Sequence, residues 1–274
     1  MGFIEIFAVP AHLRVASNRM ARIIRSSEPD ALFLYLPQHL NDLIKSLAEG
    51  CPYEYLLDQV KESSLVPEPL GRWEYEMEPM LLAIRGILNR KRGLEIWCYK
   101  EPSFVKLSAD FAANIAELVL RASVTGKVNV DDWRAVAKGF LEASADTLDK
   151  EAEYVAERSK GKGKNICICG MEGRIFRDRL SEYNLEMKLT YVLLPYYFTP
   201  IEILARQIGK ELGGSARNGN RVFQIAKHQI EFVREYVLTS RDYDEAYLKW
   251  VGDTGPCAKS RRTLFNTPTS RTQD

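Results

Sequence analysis

A surplus of charge of either sign is missing from this chain. Lys plus Arg number 38 against 37 for Asp plus Glu in 274 residues, a formal net charge of +1. No overall field therefore draws in nucleic acid or an anionic membrane, and a charged partner has to be met locally. Long apolar runs are missing as well: none reaches the roughly 18 residues that a membrane helix needs. The start "MGFIEIFAVPAH" has neither the basic leader nor the small-residue cleavage site of a secretory signal. The expected location is cytoplasmic. Cysteine is scarce and odd in number, with Cys51, Cys98, Cys167, Cys169 and Cys257, which argues against a disulfide framework; Cys98, Cys167 and Cys169 fall in predicted strands and read as reduced core thiols. There is no internal repeat and no heptad array. "RSKGKGK" (158–164) lacks the Gly-x-x-x-x-Gly-Lys-Ser/Thr spacing of a phosphate cradle and precedes a strand, so it reads as a solvated turn.

What is present is an alternation. Runs rich in Ile, Val, Phe and Tyr alternate with longer stretches of helical period, the pattern of a mainly parallel sheet with crossover helices in an α/β fold. Five strands are expected: "FIEIFAV" (3–9), "ALFLYL" (31–36), "LEIWCY" (94–99), "KNICICG" (164–170) and "MKLTYVLL" (187–194). Long helical insertions fill 38–92, broken at Gly50-Cys51-Pro52 and at "VPEPLG", and 103–159, split near Gly126. Helices follow at about 199–212, 220–239 and 242–251. The reading is a single α/β domain over 1–252 and, from its Thr, Ser, Pro and Arg content, a disordered tail over 253–274.

A parallel sheet delivers every strand's carboxyl end to one edge, and ligands of such folds bind in the crevice there. The five exits are "VPAH", "YLPQH", "YKEP", "GMEGR" and "LPYY"; four leave through Pro10, Pro37, Pro102 or Pro195, and the fifth through Gly170. They gather His12, Tyr35, His39, Tyr99, Glu101, Glu172, Arg174 and Tyr197, with two of the chain's three histidines. Each has an ordinary alternative. His12 can satisfy backbone groups at a strand end, and Glu172 in the first turn of the next helix can answer the helix dipole. Glu74, Glu76 and Glu78 in "WEYEMEP" read as the acidic approach to a helix. Tyr196, Tyr197 and Phe198 suit either a flat ligand or the covering of a sheet edge. Lys259, Arg261, Arg262 and Arg271 near the end suit a loose terminus as well as weak nucleic-acid contact.

The stretch "IEIFAVPAHLRVASNRMARIIRSSEPDALFLYLPQ" resembles the opening of the erythromycin-esterase-like, ChaN-like and TraB-like superfamily, with a strand turning at a histidine and a helix leading to "PD" and a second strand. "RWEYEMEPMLLAIRGILNRKRGLEIWCYKEP" and "KEAEYVAERSKGKGKNICICGMEGRIFRDRLSE" are similar to its later helix–strand segments, so the likeness spans residues 3 to about 205. The departures are local. Val9-Pro10-Ala11-His12 stands for Gly-x-x-His, Tyr35 for an acidic residue, and Tyr99 for an aspartate with Glu101 two positions on. Glu172 and Gly173 stand where a second histidine is expected.

The resemblance implies a hydrolase acting on a small molecule or peptide. His12 would serve as base or ligand, Glu172 and Glu101 as acid or electrostatic help, and Arg174 as the anion holder, with Tyr35, His39, Tyr99 and Tyr197 lining the crevice. A divalent metal is compatible with it, although no metal ligands are assigned. The alternative is a ligand-binding or regulatory protein that keeps the architecture and has lost the chemistry. The expected partner is a small-molecule or peptide ligand rather than nucleic acid or membrane, and homo-oligomerisation stays open.

Overall fold

The computed structural model describes residues 2–62, 66 and 70–254. Its strands are β1 (Phe3–Ala8), β2 (Ala31–Pro37), β3 (Glu95–Lys100), β4 (Lys164–Cys169) and β5 (Glu186–Tyr191). They form one sheet in the order β3-β2-β4-β1-β5 with every pairing parallel. The expected α/β fold with five parallel strands is therefore present. The helices are α1 (Arg14–Ser26), α2 (Asn41–Glu49), α3 (Tyr53–Glu62), α4 (Leu70–Ile84), α5 (Ile87–Arg90), α6 (Pro102–Thr125), α7 (Val130–Ser159), α8 (Gly173–Leu180), α9 (Pro200–Leu212), α10 (Gly219–Glu231) and α11 (Tyr243–Thr254).

Because side chains alternate across a strand, each β-run divides its residues between two faces. On one face Ile4, Ile6, Phe33 and Cys167 close against Ala152, Val155 and Ala156 of α7 and Phe176 and Leu180 of α8. Outside that cluster, α1 packs on α4, and α2 packs on β3 and α5. The Asp30 carboxylate accepts the amides of Gly163 (2.7 Å) and Lys164 (2.9 Å), pinning the turn that feeds β4 to the start of β2. Within "RSKGKGK", Arg158 and Ser159 close α7, residues 160–163 form the turn, and Lys164 opens β4, at the edge opposite the strand exits.

The described chain groups into two compact units, 2–117 with 134–194 and 118–133 with 195–254. The sheet belongs to the first. The second is helical: Glu202 accepts the Thr199 amide and hydroxyl, both at 2.8 Å, at the start of α9. α10 passes into a π-helical turn, Phe232–Val237, whose Phe232 meets Tyr243 and Trp250 edge-on. Asp253 and Thr254, assigned to the tail from sequence, complete α11, and the rest of that segment, with Cys257 and the four basic residues named above, lies outside the described residues. Most of "VPEPLG" lies outside them too. No helix among the described residues is long and apolar enough to cross a membrane.

Candidate functional site

After β1 the chain turns at His12, whose φ of 69° lies in the left-handed region that residues with a β-carbon seldom occupy. That turn carries the imidazole to α4, where His12 Nδ1 lies 2.7 Å from Glu76 Oε1, and Arg72 Nε holds the same oxygen at 3.1 Å. The His12 side chain is 46% exposed and that of Glu76 is 17%. Burial pushes the Glu76 carboxyl up, but its bonds to His12 and Arg72 outweigh that and hold it below the usual carboxylate value.

The acidic run lies inside α4 rather than ahead of a helix, a correction that traces to Pro79. A proline inside a helix has no N–H for the carbonyl four residues back. Here that carbonyl, on Tyr75, accepts Arg14 Nη1 at 2.7 Å. Arg14 also bonds Glu78 and lies over the Tyr75 ring, 5.0 Å from its centroid. The orphaned carbonyl is thus answered from α1, and α4 continues through the proline with Glu76 turned to His12.

The exits of β2, β3 and β4 meet at a buried ion pair absent from the sequence reading. Lys100 Nζ lies 2.6 Å from Glu151 Oε2, with side chains 4% and 0% exposed. The ammonium sits 3.8 Å from the Phe104 ring centroid and 4.6 Å from that of Tyr35. The Glu101 amide donates to the other Glu151 oxygen at 3.2 Å. Burial drives the Glu151 carboxyl up, Lys100 and the Glu101 amide pull it back, Glu172 adds to the rise, and the net position is above the ordinary value. Burial pushes the ionisation of the Tyr35 hydroxyl up, and the negative charge of Glu172 adds to that rise.

Among the other expected residues, Tyr99 is core. It is 1% exposed, stacks on Phe176 at 5.4 Å and gives its hydroxyl to the Ile168 carbonyl at 2.9 Å, which closes it to a ligand. His39 is exposed on the short turn Gln38–Leu40, and Arg174 is exposed in the first turn of α8. Tyr197 belongs to the second compact unit, where the Tyr247 hydroxyl accepts from its amide (2.9 Å) and donates to its carbonyl (3.1 Å). Beside it, Tyr196 donates to Glu202 at 2.7 Å and stacks on Tyr247. Glu172 occupies the cap position of α8 without making a side-chain capping bond, so helix capping does not account for it.

The structure thus joins Tyr35 and the Glu101 amide around Lys100 and Glu151, and joins His12 to Glu76. Lys100 carries a signal in "YKEP", where it is the last residue of the strand. Glu151, inside a 30-residue helix, carries no such signal. Cys98, Cys167 and Cys169 are buried free thiols, pushed up by burial. Among the described residues no three His, Cys, Asp or Glu side chains converge as a metal site. No family model, curated protein or solved structure matches the chain.

Proposed function

We propose that the chain is a divergent relative of the erythromycin-esterase-like, ChaN-like and TraB-like proteins that hydrolyses an ester or amide bond of a small molecule or peptide at the carboxyl edge of the sheet. The observation that carries this reading is the His12–Glu76 pair: an imidazole at a strand exit, in a strained backbone conformation, with one ring nitrogen tied to a carboxylate. A base oriented by an acid is the arrangement general-base hydrolysis needs. With Nδ1 committed to Glu76, proton exchange runs through Nε2. The imidazole takes a proton from water as the water oxygen bonds the substrate carbonyl carbon, and returns it to the leaving group as the scissile bond breaks. Arg174, exposed at the start of α8, would hold an anionic substituent in this reading.

The test is turnover of p-nitrophenyl acetate and of a mixed peptide library by the full chain and its variants. His12→Ala should lose about 10²–10⁴ in kcat/KM, and Glu76→Gln a smaller factor. Absence of turnover by the unaltered chain, or a His12→Ala variant as fast as it, refutes hydrolysis. A second reading, a ligand-binding protein without turnover, draws on the buried pairing of Lys100 with Glu151, which leaves those charges answering each other. Ligand-induced thermal stabilisation without product would favour it.

A further inference from the structure

The backbone groups of successive strand residues point to opposite sides, so an edge strand turns every second residue outward. In β3 the Glu95 amide faces β2, where it donates to the Asp30 carbonyl at 2.9 Å, and Cys98 therefore faces out. The Asn41 carboxamide closes it there. Its Oδ1 accepts the Cys98 amide at 2.7 Å and its Nδ2 donates to the Cys98 carbonyl at 3.3 Å.

β5 forms the other edge and pairs with β1. The Glu186 amide donates to the Gly2 carbonyl at 3.2 Å and the Val192 amide to the Ala8 carbonyl at 3.0 Å. Lys188 and Thr190 share that side, and Met187, Leu189 and Tyr191 present their amides and carbonyls outward. Among the described residues no hydrogen bond reaches those groups. An open row of this kind is a template for another strand, and proteins commonly guard it with an outward lysine, a proline or a bulge. β5 has neither proline nor bulge, and its lysine, Lys188, is drawn inward to Glu5 of β1 at 2.8 Å.

The side chains indicate which strand fits. Glu186 and Lys188 lie exposed on one face, and Glu186 has no ion pair among the described residues. Leu185, Met187 and Leu189 lie on the other face, partly buried against the core. Antiparallel pairing with a second copy about a two-fold axis at Met187 sets Glu186 opposite the partner's Lys188, twice, and Leu185 opposite the partner's Leu189. Met187 and its twin then exchange amide–carbonyl bonds. An axis at Leu189 would oppose Lys188 to Thr190 and answer no charge.

The geometry points to β5 as a self-pairing edge: two copies of this chain join antiparallel through β5, centred on Met187, into one continuous sheet, with Glu186 of each copy answered by the partner's Lys188.

Sedimentation velocity of the full chain across the micromolar range should show a reversible monomer–dimer equilibrium. Glu186→Lys and Lys188→Glu each set like charges opposite one another twice, and each should weaken the dimer about tenfold or more. The two variants mixed together should form a heterodimer, because every opposed pair is then of opposite sign. Met187→Pro deletes the central outward amide, which β1 does not use, and should abolish the dimer while leaving the circular dichroism spectrum in place. Should that variant fail to fold, the two exposed-charge variants decide. A chain that is monomeric across the range, or a dimer that Glu186→Lys or a folded Met187→Pro leaves intact, overturns the self-pairing. A monomeric chain that instead captures extended peptides from a random-sequence library overturns it too, and gives the edge to a peptide partner.

Discussion

Replacing Lys100 by Met strips the ammonium from a carboxylate whose side chain has no exposure to solvent. The remaining Glu151 keeps the Glu101 amide at 3.2 Å. Breaking a buried pair from one side costs about 3–5 kcal/mol, since the surviving charge is neither solvated nor answered. The cation–π contacts to Phe104 and Tyr35, at 3.8 and 4.6 Å, add about 0.5–1 kcal/mol each. The expectation is a loss of about 4–7 kcal/mol at pH 7, measured by urea unfolding followed by circular dichroism. The double variant Lys100→Met/Glu151→Met removes both charges and should return to within about 1–2 kcal/mol of the unaltered chain, a coupling well above that of independent sites.

The pH dependence has a definite sign. The Glu151 carboxyl lies above its ordinary value when folded. Between the ordinary carboxylate range and that higher value the native chain holds a proton the unfolded chain has lost, so this group's contribution declines as pH rises through the window. Removing Lys100 takes away the charge that pulls the carboxyl down and moves its midpoint higher. The penalty of Lys100→Met should therefore shrink as pH falls from 7 toward 5. A single-variant loss under about 1 kcal/mol, or a double variant as damaged as the sum of the two singles, would refute the claim that the pair is desolvated and mutually dependent.

Arg14→Ala should cost less stability in a Pro79→Ala background than in the unaltered chain, because alanine at that position supplies the amide that the Tyr75 carbonyl lacks. The Pro79→Ala change by itself can gain up to about 3 kcal/mol of helix propensity, and equal Arg14→Ala costs in both backgrounds would show that Arg14 does not answer that carbonyl. The bonds from the Lys164 and Gly163 amides hold the Asp30 carboxyl below its usual value, so its contribution is present above the ordinary carboxylate range and lost as pH falls through the lower folded value. Asp30→Ala should cost about 1 kcal/mol at pH 7 for this solvent-facing group and progressively less on acidification; thermal melts showing a pH-independent cost would sink the assignment.

The five strands are legible because short runs of β-branched and aromatic residues bounded by proline or glycine have few other ways to fold, and every expected strand overlaps an observed one. The exits are legible for the same reason: whatever follows a parallel strand lies on one edge, which locates His12 and Glu172. Tyr99 escapes such reasoning because its position at a strand end says nothing of which face its ring takes, and that face is closed by Phe176. Glu76 reads as part of a helix approach because Pro79 looks like a helix start, and only Arg14, 61 residues from Tyr75, lets the helix run through it. Glu151 reaches Lys100 across 51 residues of chain.

The amino-acid sequence by itself determined the elements and the edge at which they end, since hydrophobic period and backbone restrictions act within a few residues. The tertiary structure alone decided the order β3-β2-β4-β1-β5 and, with it, which charges meet. Pairings that span long helical crossovers depend on desolvation and packing, and no local pattern records either.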